Sequence, residues 1–210
     1  MKKKNINKKS IYGLWNHYNY VKKYNNLKYT DKDGHLYHMT GRKSMVVKYL
    51  NKLNLGKKIT ILELGYGAGQ NAKDFMKYCK KFYGVDISAP LSKFAKNNNK
   101  RSVKSGKAKF LTGSIEEKLI IKSNSIDVII IIGALQYVMD LEYCFKECRR
   151  VLKYNGQMII AQSNTCIMFA TYRFLKILGR YLYFILRHNP SSRSANDDSS
   201  KFGIFFQFVI

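Results

Sequence analysis

The sequence predicts an α/β fold of three layers, in which helices cover both faces of a mainly parallel sheet. Short apolar runs typical of buried strands, such as 59–64 and 127–132, alternate with segments whose apolar residues recur at helical spacing. The run 127–132 is almost wholly β-branched, as expected for a central strand covered on both faces. Strands that alternate with helices at this spacing favour a parallel sheet.

The remaining elements follow in order along the chain. Helical spacing of apolar residues predicts helices at 45–53, 72–78, 90–95 and 141–152, and Gly56 ends the first of them. Short apolar runs predict further strands at 82–85, 109–111 and 157–161. The polar run 97–100 is treated as a low-complexity stretch.

The chain has 210 residues, which is enough for one domain with a core and a small cap. A hydrophobic content of 46% excludes wholesale disorder. No uncharged apolar stretch reaches the roughly 18 residues of a membrane-spanning helix, and the basic start does not lead into the apolar run of a signal peptide. The cysteines at 79, 144, 148 and 166 form no CxxC pair, so a reduced, cytoplasmic chain is expected.

Basic residues greatly outnumber acidic ones: 38 Lys and Arg against 13 Asp and Glu give a net charge of +25. The first quarter of the chain is the most basic part, and Tyr residues are interleaved with its lysines. This combination is typical of a nucleic-acid surface. Compositional drift is the favoured alternative, because the excess is mostly Lys and specific phosphate sites favour Arg.

The segment 61–70, Ile-Leu-Glu-Leu-Gly-Tyr-Gly-Ala-Gly-Gln, is the most informative one. Glycines at a strand-to-helix turn let the backbone approach a ligand that a Cβ would block. Glu63 just before them would repel a pyrophosphate, but it suits a ligand that carries an ammonium and a sulfonium. Asp86 ends the next strand, 19 positions after Gly67, where a carboxylate can accept both ribose hydroxyls.

These residues resemble the class I S-adenosylmethionine-dependent methyltransferases, and within them the methyltransferase type 11 group. The resemblance covers 57–165 and rests on segments 63–69, 85–88, 110–114, 125–137, 147–156 and 162–164, in the family's order. It implies a Rossmann-like fold, S-adenosyl-L-methionine as the cofactor, and a set of cofactor-binding residues: Glu63, Gly65, Tyr66, Gly67, Gly69, Asp86, Ile87, Ser114, Ile115 and Gly133.

Three departures from the family's pattern stand out. The resemblance implies an acidic residue at Ser114 for the adenine amino group, and a serine there costs about 1 kcal/mol of affinity because charge assistance is lost. Many relatives carry two histidines at Gln136 and Tyr137. A complete fold of this family ends in an antiparallel hairpin of two strands, whereas the sequence offers one candidate near 202–210, so either the fold is trimmed or the reading frame is truncated.

Methyl transfer from a sulfonium needs alignment more than proton transfer. Glu63 and Asp86 supply negative charge for the cation, and Tyr66 and Tyr137 offer aromatic faces, although Tyr66 as a plain wall residue is an equal alternative. The weak catalytic candidates are Gln136, Tyr137 and His17. No metal site is predicted.

We divide the chain into a basic, Tyr-rich helical cap (1–56), the cofactor-binding core (57–165) and a C-terminal part (166–210) with an amphipathic helix, a flexible loop and a terminal strand. In 166–187 a basic stripe opposes a broad apolar face, which suits either a cover over the acceptor pocket or a peripheral membrane contact. The expected function is methyl transfer to a small-molecule acceptor, and a lipid-like molecule is one possible acceptor. RNA methylation through the basic N-terminus and a cofactor-binding remnant without turnover are the alternatives.

Overall fold

The computed structural model describes residues 13–17, 19, 21–22, 35–56, 58–163 and 204–209, with only the backbone described at 35–40, 162–163 and 204–209. The predicted amphipathic helix at 166–187 and most of the N-terminal segment lie outside these residues. Among the helices of the described residues, none combines the length and the apolar character that a membrane-spanning segment needs.

Helices and strands alternate through the described core. The helices are α1 (His35–Leu53), α2 (Ala72–Phe75, continued by a 3-10 turn at Met76–Tyr78), α3 (Ala89–Asn98), α4 (Lys100–Lys104) and α5 (Leu141–Val151). The strands are β1 (Thr60–Leu64), β2 (Lys81–Asp86), β3 (Ala108–Thr112), β4 (Ile126–Ile132), β5 (Leu152–Ser163) and β6 (Ile204–Val209). A second 3-10 turn follows β4 at Leu135–Tyr137.

The strands form one sheet in the order β3-β2-β1-β4-β5-β6, and each neighbouring pair is parallel. The three-layer α/β fold with a parallel sheet is therefore confirmed. The chain runs outward from β1 to β3 and then returns to place β4 on the other side of β1. Ligands of open parallel sheets bind at the carboxyl ends of the strands where the order reverses in this way, here between β1 and β4.

The terminal strand pairs differently from the hairpin that the family resemblance implies. β6 lies parallel to β5, with Met158 opposite Ile204 and Ser163 opposite Val209. The single strand predicted near 202–210 is therefore found as β6, and among the described residues it has no antiparallel partner. The pairing covers the outer edge of β5, whose backbone groups would otherwise lack partners in the sheet.

Strand β4 shows why the sheet is buried on both faces. Its residues alternate between two apolar clusters: Val128, Ile130 and Ile132 belong to one, and Ile129 and Ile131 to the other. The first cluster lies under α1 and α2, and the second lies under α5. A continuous apolar run is what a central parallel strand needs, because both faces are covered.

The helix predicted at 90–95 extends beyond its predicted end. α3 runs to Asn98 and α4 begins at Lys100, so the low-complexity stretch 97–100 spans the junction of two helices. Asn99 between them is buried, and its side-chain amide donates to the Gly69 carbonyl at 2.8 Å and to the Ala95 carbonyl at 2.9 Å. The asparagines are therefore part of the packing against the glycine turn.

Candidate cofactor cleft

A cleft with about 810 Å³ of empty space, open to solvent on one side, lies at the carboxyl ends of the strands. The loops after β1 to β4 supply most of its wall: Gly65, Gly67, Asp86, Ile87, Ser114, Ile115, Glu116, Gly133 and Ala134. The rest comes from the end of β4, the turn after it, α3 and the N-terminal segment: Ile132, Tyr137, Val138, Met139, Leu91 and Trp15.

The turn after β1 brings its backbone close to two other elements. Gly65 has φ +75°, and a Cβ on it would lie 2.5 Å from the Cβ of Ala134. Gly69 has φ +71°, and a Cβ on it would lie 2.9 Å from the Cβ of Ala95. These two glycines thus permit close packing against the β4 loop and α3. Gly67 lines the cleft itself.

Asp86, at the end of β2, is the acidic centre of the cleft wall. Its Oδ2 accepts the Gly67 N–H at 2.8 Å, and its Oδ1 accepts the Ser88 N–H at 2.9 Å. The residue is only 8% exposed and lines the cleft. A carboxylate has about four lone-pair sites, so these two backbone donors fix its orientation and leave capacity for a ligand's hydroxyl groups.

The glycine turn is also held from α3. Asn98 donates from its amide nitrogen to the Ala68 carbonyl at 2.9 Å, next to the Asn99 bond to Gly69. Two carbonyls of the turn are thus satisfied by side chains. Such support is what keeps a binding loop in one conformation.

The loop after β3 contains Ser114, which was predicted as a cofactor-binding residue, and Glu116, which was not. Ser114 Oγ accepts the Glu116 N–H at 3.1 Å, so the hydroxyl hydrogen remains able to donate. Glu116 lines the same cleft, and its Oε1 accepts the N–H groups of Met139 at 2.8 Å and Asp140 at 2.6 Å. The acidic group in this loop therefore lies two positions after the one that the family resemblance implies.

The N-terminal segment closes part of the cleft with an aromatic side chain. Trp15 is 7% exposed and meets the ring of Tyr137 edge-to-face, with 5.4 Å between the ring centroids. Its carbonyl accepts a hydrogen bond from Ser88 Oγ, and Asn16 Oδ1 accepts the Ala89 N–H at 3.2 Å. Trp15 was missed as a site residue, since nothing in its local sequence connects it to a loop 73 positions away.

Several residues predicted for the site have side chains elsewhere. Tyr66 lies in the apolar core, edge-to-face on Phe110, and donates its hydroxyl to the Leu111 carbonyl at 3.1 Å. Burial raises the pKa of this phenol far above its usual range. The ring therefore packs as a structural residue, and it does not line the cleft.

Of the remaining predicted residues, Glu63 is buried in β1, while Gln136 and His17 are exposed; these three and Gly69 do not line the cleft. The described part of the site therefore brings together Gly65, Gly67, Asp86, Ile87, Ser114, Ile115, Gly133 and Tyr137.

The cysteines at 79, 144 and 148 are buried in the core. Burial raises the pKa of the Cys79 thiol to about 11. A hydrogen bond with Cys144, together with burial, raises the pKa of Cys148 well above its ordinary value. The thiols of Cys79 and Cys148 therefore stay protonated at neutral pH, and all three cysteines act as small apolar side chains.

Comparison with known proteins points to one family. Residues 62–160 match the family described as "Methyltransferase domain" (Methyltransf_11). The chain is 26% identical over 118 residues to a sterol 4-C-methyltransferase of Caenorhabditis elegans, an alignment that covers 56% of this chain and 35% of that protein. The match therefore spans about a third of that relative.

Solved structures show the same fold. A candidate S-adenosyl-L-methionine-dependent methyltransferase from Methanococcus maripaludis superposes with a TM-score of 0.57 at 17% identity, covering 91% of this chain and 76% of that one. The YcgJ protein of Bacillus subtilis superposes with a TM-score of 0.54 at 22% identity, covering 66% and 58%.

Proposed function

We propose that this chain, whose residues 62–160 belong to the class I S-adenosylmethionine-dependent methyltransferases of the type 11 group, transfers a methyl group to a small apolar acceptor. The observation that carries the proposal is the geometry of Asp86. Its buried carboxylate stands at the end of β2, beside the point where strand order reverses, and two backbone N–H groups fix both of its oxygens.

The residues of the cleft fit S-adenosyl-L-methionine. Asp86 would hold the ribose hydroxyls, and Ser114 together with Glu116 would face the adenine. Gly65 and Gly67 line the cleft with bare backbone, along which the cofactor would lie. When bound, the cofactor supplies a methyl group on a sulfonium, whose leaving thioether is neutral and needs no proton.

The protein's contribution is then to orient the acceptor and to exclude water. Orientation alone is worth on the order of 7–11 kcal/mol when two reactants are held in line. The apolar side chains of Trp15, Leu91 and Val138 line the cleft and exclude water there. Tyr137 lines the same cleft and, of the catalytic candidates, is the one positioned to touch an acceptor.

An apolar acceptor is supported by the rim of the cleft. Tyr137 is 39% exposed and Met139 58% exposed, and both line the cleft. Exposed apolar side chains beside a cleft are typical of sites that bind apolar molecules. The similarity to a sterol 4-C-methyltransferase agrees with a lipid-like acceptor. The cytoplasmic location and the contact of 166–187 with a membrane surface stay predictions.

Calorimetric titration of S-adenosyl-L-methionine and S-adenosyl-L-homocysteine tests the cofactor site. Asp86→Asn should lower both affinities by about tenfold or more, because charge-assisted hydrogen bonds to the ribose are lost. Glu142→Gln removes an exposed carboxylate on α5 and serves as the matched control, with unchanged affinity. Equal binding by wild type and Asp86→Asn would overturn the ribose assignment.

Transfer of labelled methyl groups to separate pools of apolar small molecules, phospholipid vesicles and RNA tests the acceptor. We expect label in the apolar pool, reduced by Trp15→Ala. Label in RNA would favour the alternative function. Cofactor binding without label in any pool would favour a remnant without turnover.

A further inference from the structure

Charge is distributed very unevenly over the core of this protein. From the start of α1 to the end of β3, residues 35–112 contain 17 Lys and Arg but three acidic residues. From there to the end of β5, residues 113–163 contain six basic and six acidic residues. Compositional drift would act on both parts alike, so it does not explain a strongly basic part beside a neutral one.

The fold gathers the helices of the basic part into one layer. Val46 of α1, Phe75 of α2 and Ala95 of α3 belong to the same apolar cluster, and Val103 of α4 packs against it. α5 packs against the other cluster, on the opposite face of the sheet. The exposed cations on α1 to α4, with the turn that continues α2, are Lys48, Lys52, Lys73, Lys77, Lys93, Lys96, Lys100, Arg101 and Lys104. These helices and cations are termed the basic layer.

The basic layer has little negative charge to offset its cations. Of the three acidic residues in the basic part, Glu63 and Asp86 are buried in strands, at 1% and 8% exposure. The third, Asp74 on α2, is shared by two ammonium groups, with Lys43 Nζ at 2.9 Å and Lys77 Nζ at 2.8 Å. The outer surface of these helices is therefore positive even around its one carboxylate.

A groove in this layer has the chemistry of a phosphate site. It lies between α1 and α2, is open to solvent and has about 670 Å³ of empty space. Lys43, Lys48 and Lys77 line it together with Ser44 and Asn51. Three ammonium groups outweigh the one carboxylate there, and the hydroxyl and amide groups can donate to phosphate oxygens.

We propose that the basic layer docks this protein on an anionic phospholipid surface. Its cations are mostly Lys, whereas specific contacts to nucleic-acid phosphates favour Arg. None of the aromatic side chains described on α1 to α4 is exposed, so unpaired bases would find no ring on which to stack. The choice of a lipid surface rests on the proposed function, because an apolar acceptor partitions into membranes rather than into water.

Co-sedimentation of the full chain with vesicles tests this docking surface. Wild type should bind vesicles of phosphatidylserine mixed with phosphatidylcholine, and bind pure phosphatidylcholine far more weakly. Binding should fall between about 0.1 and 1 M NaCl, because the screening length shrinks from about 10 Å to about 3 Å.

A triple variant removes one exposed cation from each of α1, α2 and α3: Lys48→Gln, Lys73→Gln and Lys96→Gln. It should lower partitioning onto the anionic vesicles by on the order of a hundredfold, because each lysine beside an anionic leaflet contributes about fivefold. Its circular dichroism should match wild type, since all three side chains are exposed.

The matched control takes three exposed lysines from the neutral part: Lys118→Gln, Lys122→Gln and Lys146→Gln. The net charge of the chain changes by the same amount, but vesicle binding should stay close to wild type. An equal loss in both triple variants would overturn the proposal, because net charge alone would then account for binding. Absence of wild-type binding to the anionic vesicles would overturn it as well.

Single- and double-stranded RNA provide the competing partner in the same comparison. Weaker RNA binding by the first triple variant, with its vesicle binding unchanged, would assign the surface to RNA and overturn the proposal. These measurements need no methyl donor, so they are independent of the proposed function. Vesicle binding without affinity for S-adenosyl-L-methionine would refute the proposed function, whereas cofactor binding without vesicle binding would refute the docking surface alone.

Discussion

At the scale of single residues, Gly65 shows two separable requirements for glycine at one position. Its φ of +75° lies in the left-handed region, where an L-residue is strained, and the Cβ of Ala134 leaves no room for a methyl group. Gly56 has nearly the same φ, +72°, but open space around the missing Cβ. The two positions therefore separate backbone strain from steric conflict.

We predict that Gly56→Ala costs about 1–2 kcal/mol of unfolding free energy through strain alone, whereas Gly65→Ala costs roughly 3–5 kcal/mol. Adding Ala134→Gly to Gly65→Ala removes the clash, so the double variant should fall back to near the Gly56→Ala value. Urea denaturation monitored by circular dichroism measures all three. No rescue by Ala134→Gly would contradict the steric part of this explanation.

Ser88 connects the cap of α3 to the N-terminal segment through one hydroxyl. Its Oγ accepts the Leu91 N–H at 3.2 Å and donates to the Trp15 carbonyl. Ser88→Ala should therefore cost about 1–2 kcal/mol of unfolding free energy, the usual effect of losing an N-cap. It should also increase proteolytic cleavage near Trp15, because that segment loses one of its hydrogen bonds to the start of α3.

Limited proteolysis followed by mass spectrometry checks the second effect. Ser44→Ala, at an exposed position of α1, should change neither quantity. A stability loss without faster cleavage near Trp15 would show that the hydroxyl acts only as a cap.

At the scale of elements, α5 is held to the loop before β4 by hydrogen bonds from the two members of an ion pair within the helix. The Arg150 guanidinium donates to both carboxylate oxygens of Glu147, at 2.8 and 2.7 Å. Glu147 also accepts the Leu119 N–H at 2.9 Å, and Arg150 donates to the Leu119 and Ile121 carbonyls, each at 3.0 Å. The hydrogen bond from Arg150, the largest cause, holds the pKa of the Glu147 carboxyl below its usual value.

Glu147→Gln should lower the unfolding free energy at pH 7 by about 2–4 kcal/mol, because Arg150 keeps its partly buried charge without a counter-charge. A depressed pKa contributes stability above the unfolded-state value and loses it as the pH falls through the folded-state value. The difference between wild type and variant should therefore be constant near neutrality and shrink in acid, below the ordinary carboxyl value of 4.5.

Urea denaturation from pH 7 down to pH 3 measures this difference. Glu142→Gln, exposed on the same helix, should show almost no difference at any pH. A difference that grows on acidification would contradict the proposed charge state of Glu147.

The position of β4 and that of Asp86 could both be predicted from sequence patterns. β4 was predicted at 127–132 and found at Ile126–Ile132. The prediction succeeded because, in a parallel sheet, an unbroken apolar run fits a central strand that is covered on both faces. Asp86 was located by its distance from the glycine turn, which the length of a β-α-β unit restricts. Both predictions depend only on residues that lie close to one another in the sequence.

Contacts between distant segments could not be predicted in this way. Trp15 meets Ser88, and Arg42 meets Gly133, only because the fold brings α1 and the N-terminal segment over the strand ends. Tyr66 was placed among the cofactor-binding residues because it stands between two glycines, but the close approach of its ring to Gly84 directs it into the core. A Cβ at Gly84 would lie 2.5 Å from that ring, so the two positions depend on each other.

At the scale of the whole molecule, the net charge of +25 bears on both the acceptor test and stability. A chain this basic binds polyanions without specificity, through release of counterions. RNA binding alone therefore would not identify RNA as an acceptor, whereas covalent label in RNA would. The same charge makes the folded protein repel itself, since folding brings the positive groups closer together.

Salt should therefore stabilise this protein. The screening length falls from about 30 Å at 0.01 M to about 10 Å at 0.1 M, which removes repulsion between distant lysines and leaves short contacts less affected. Exposed pairs such as Lys77–Asp74 weaken as well, but pairs of this kind contribute little. We expect the urea midpoint to rise between 0.01 and 0.1 M NaCl, equivalent to on the order of 1 kcal/mol, and equally with KCl. Sucrose at matched osmolarity is the control, because it acts by solvent exclusion and does not screen charges. A urea midpoint that falls as salt is added would mean that the local ion pairs outweigh the repulsion of the whole chain.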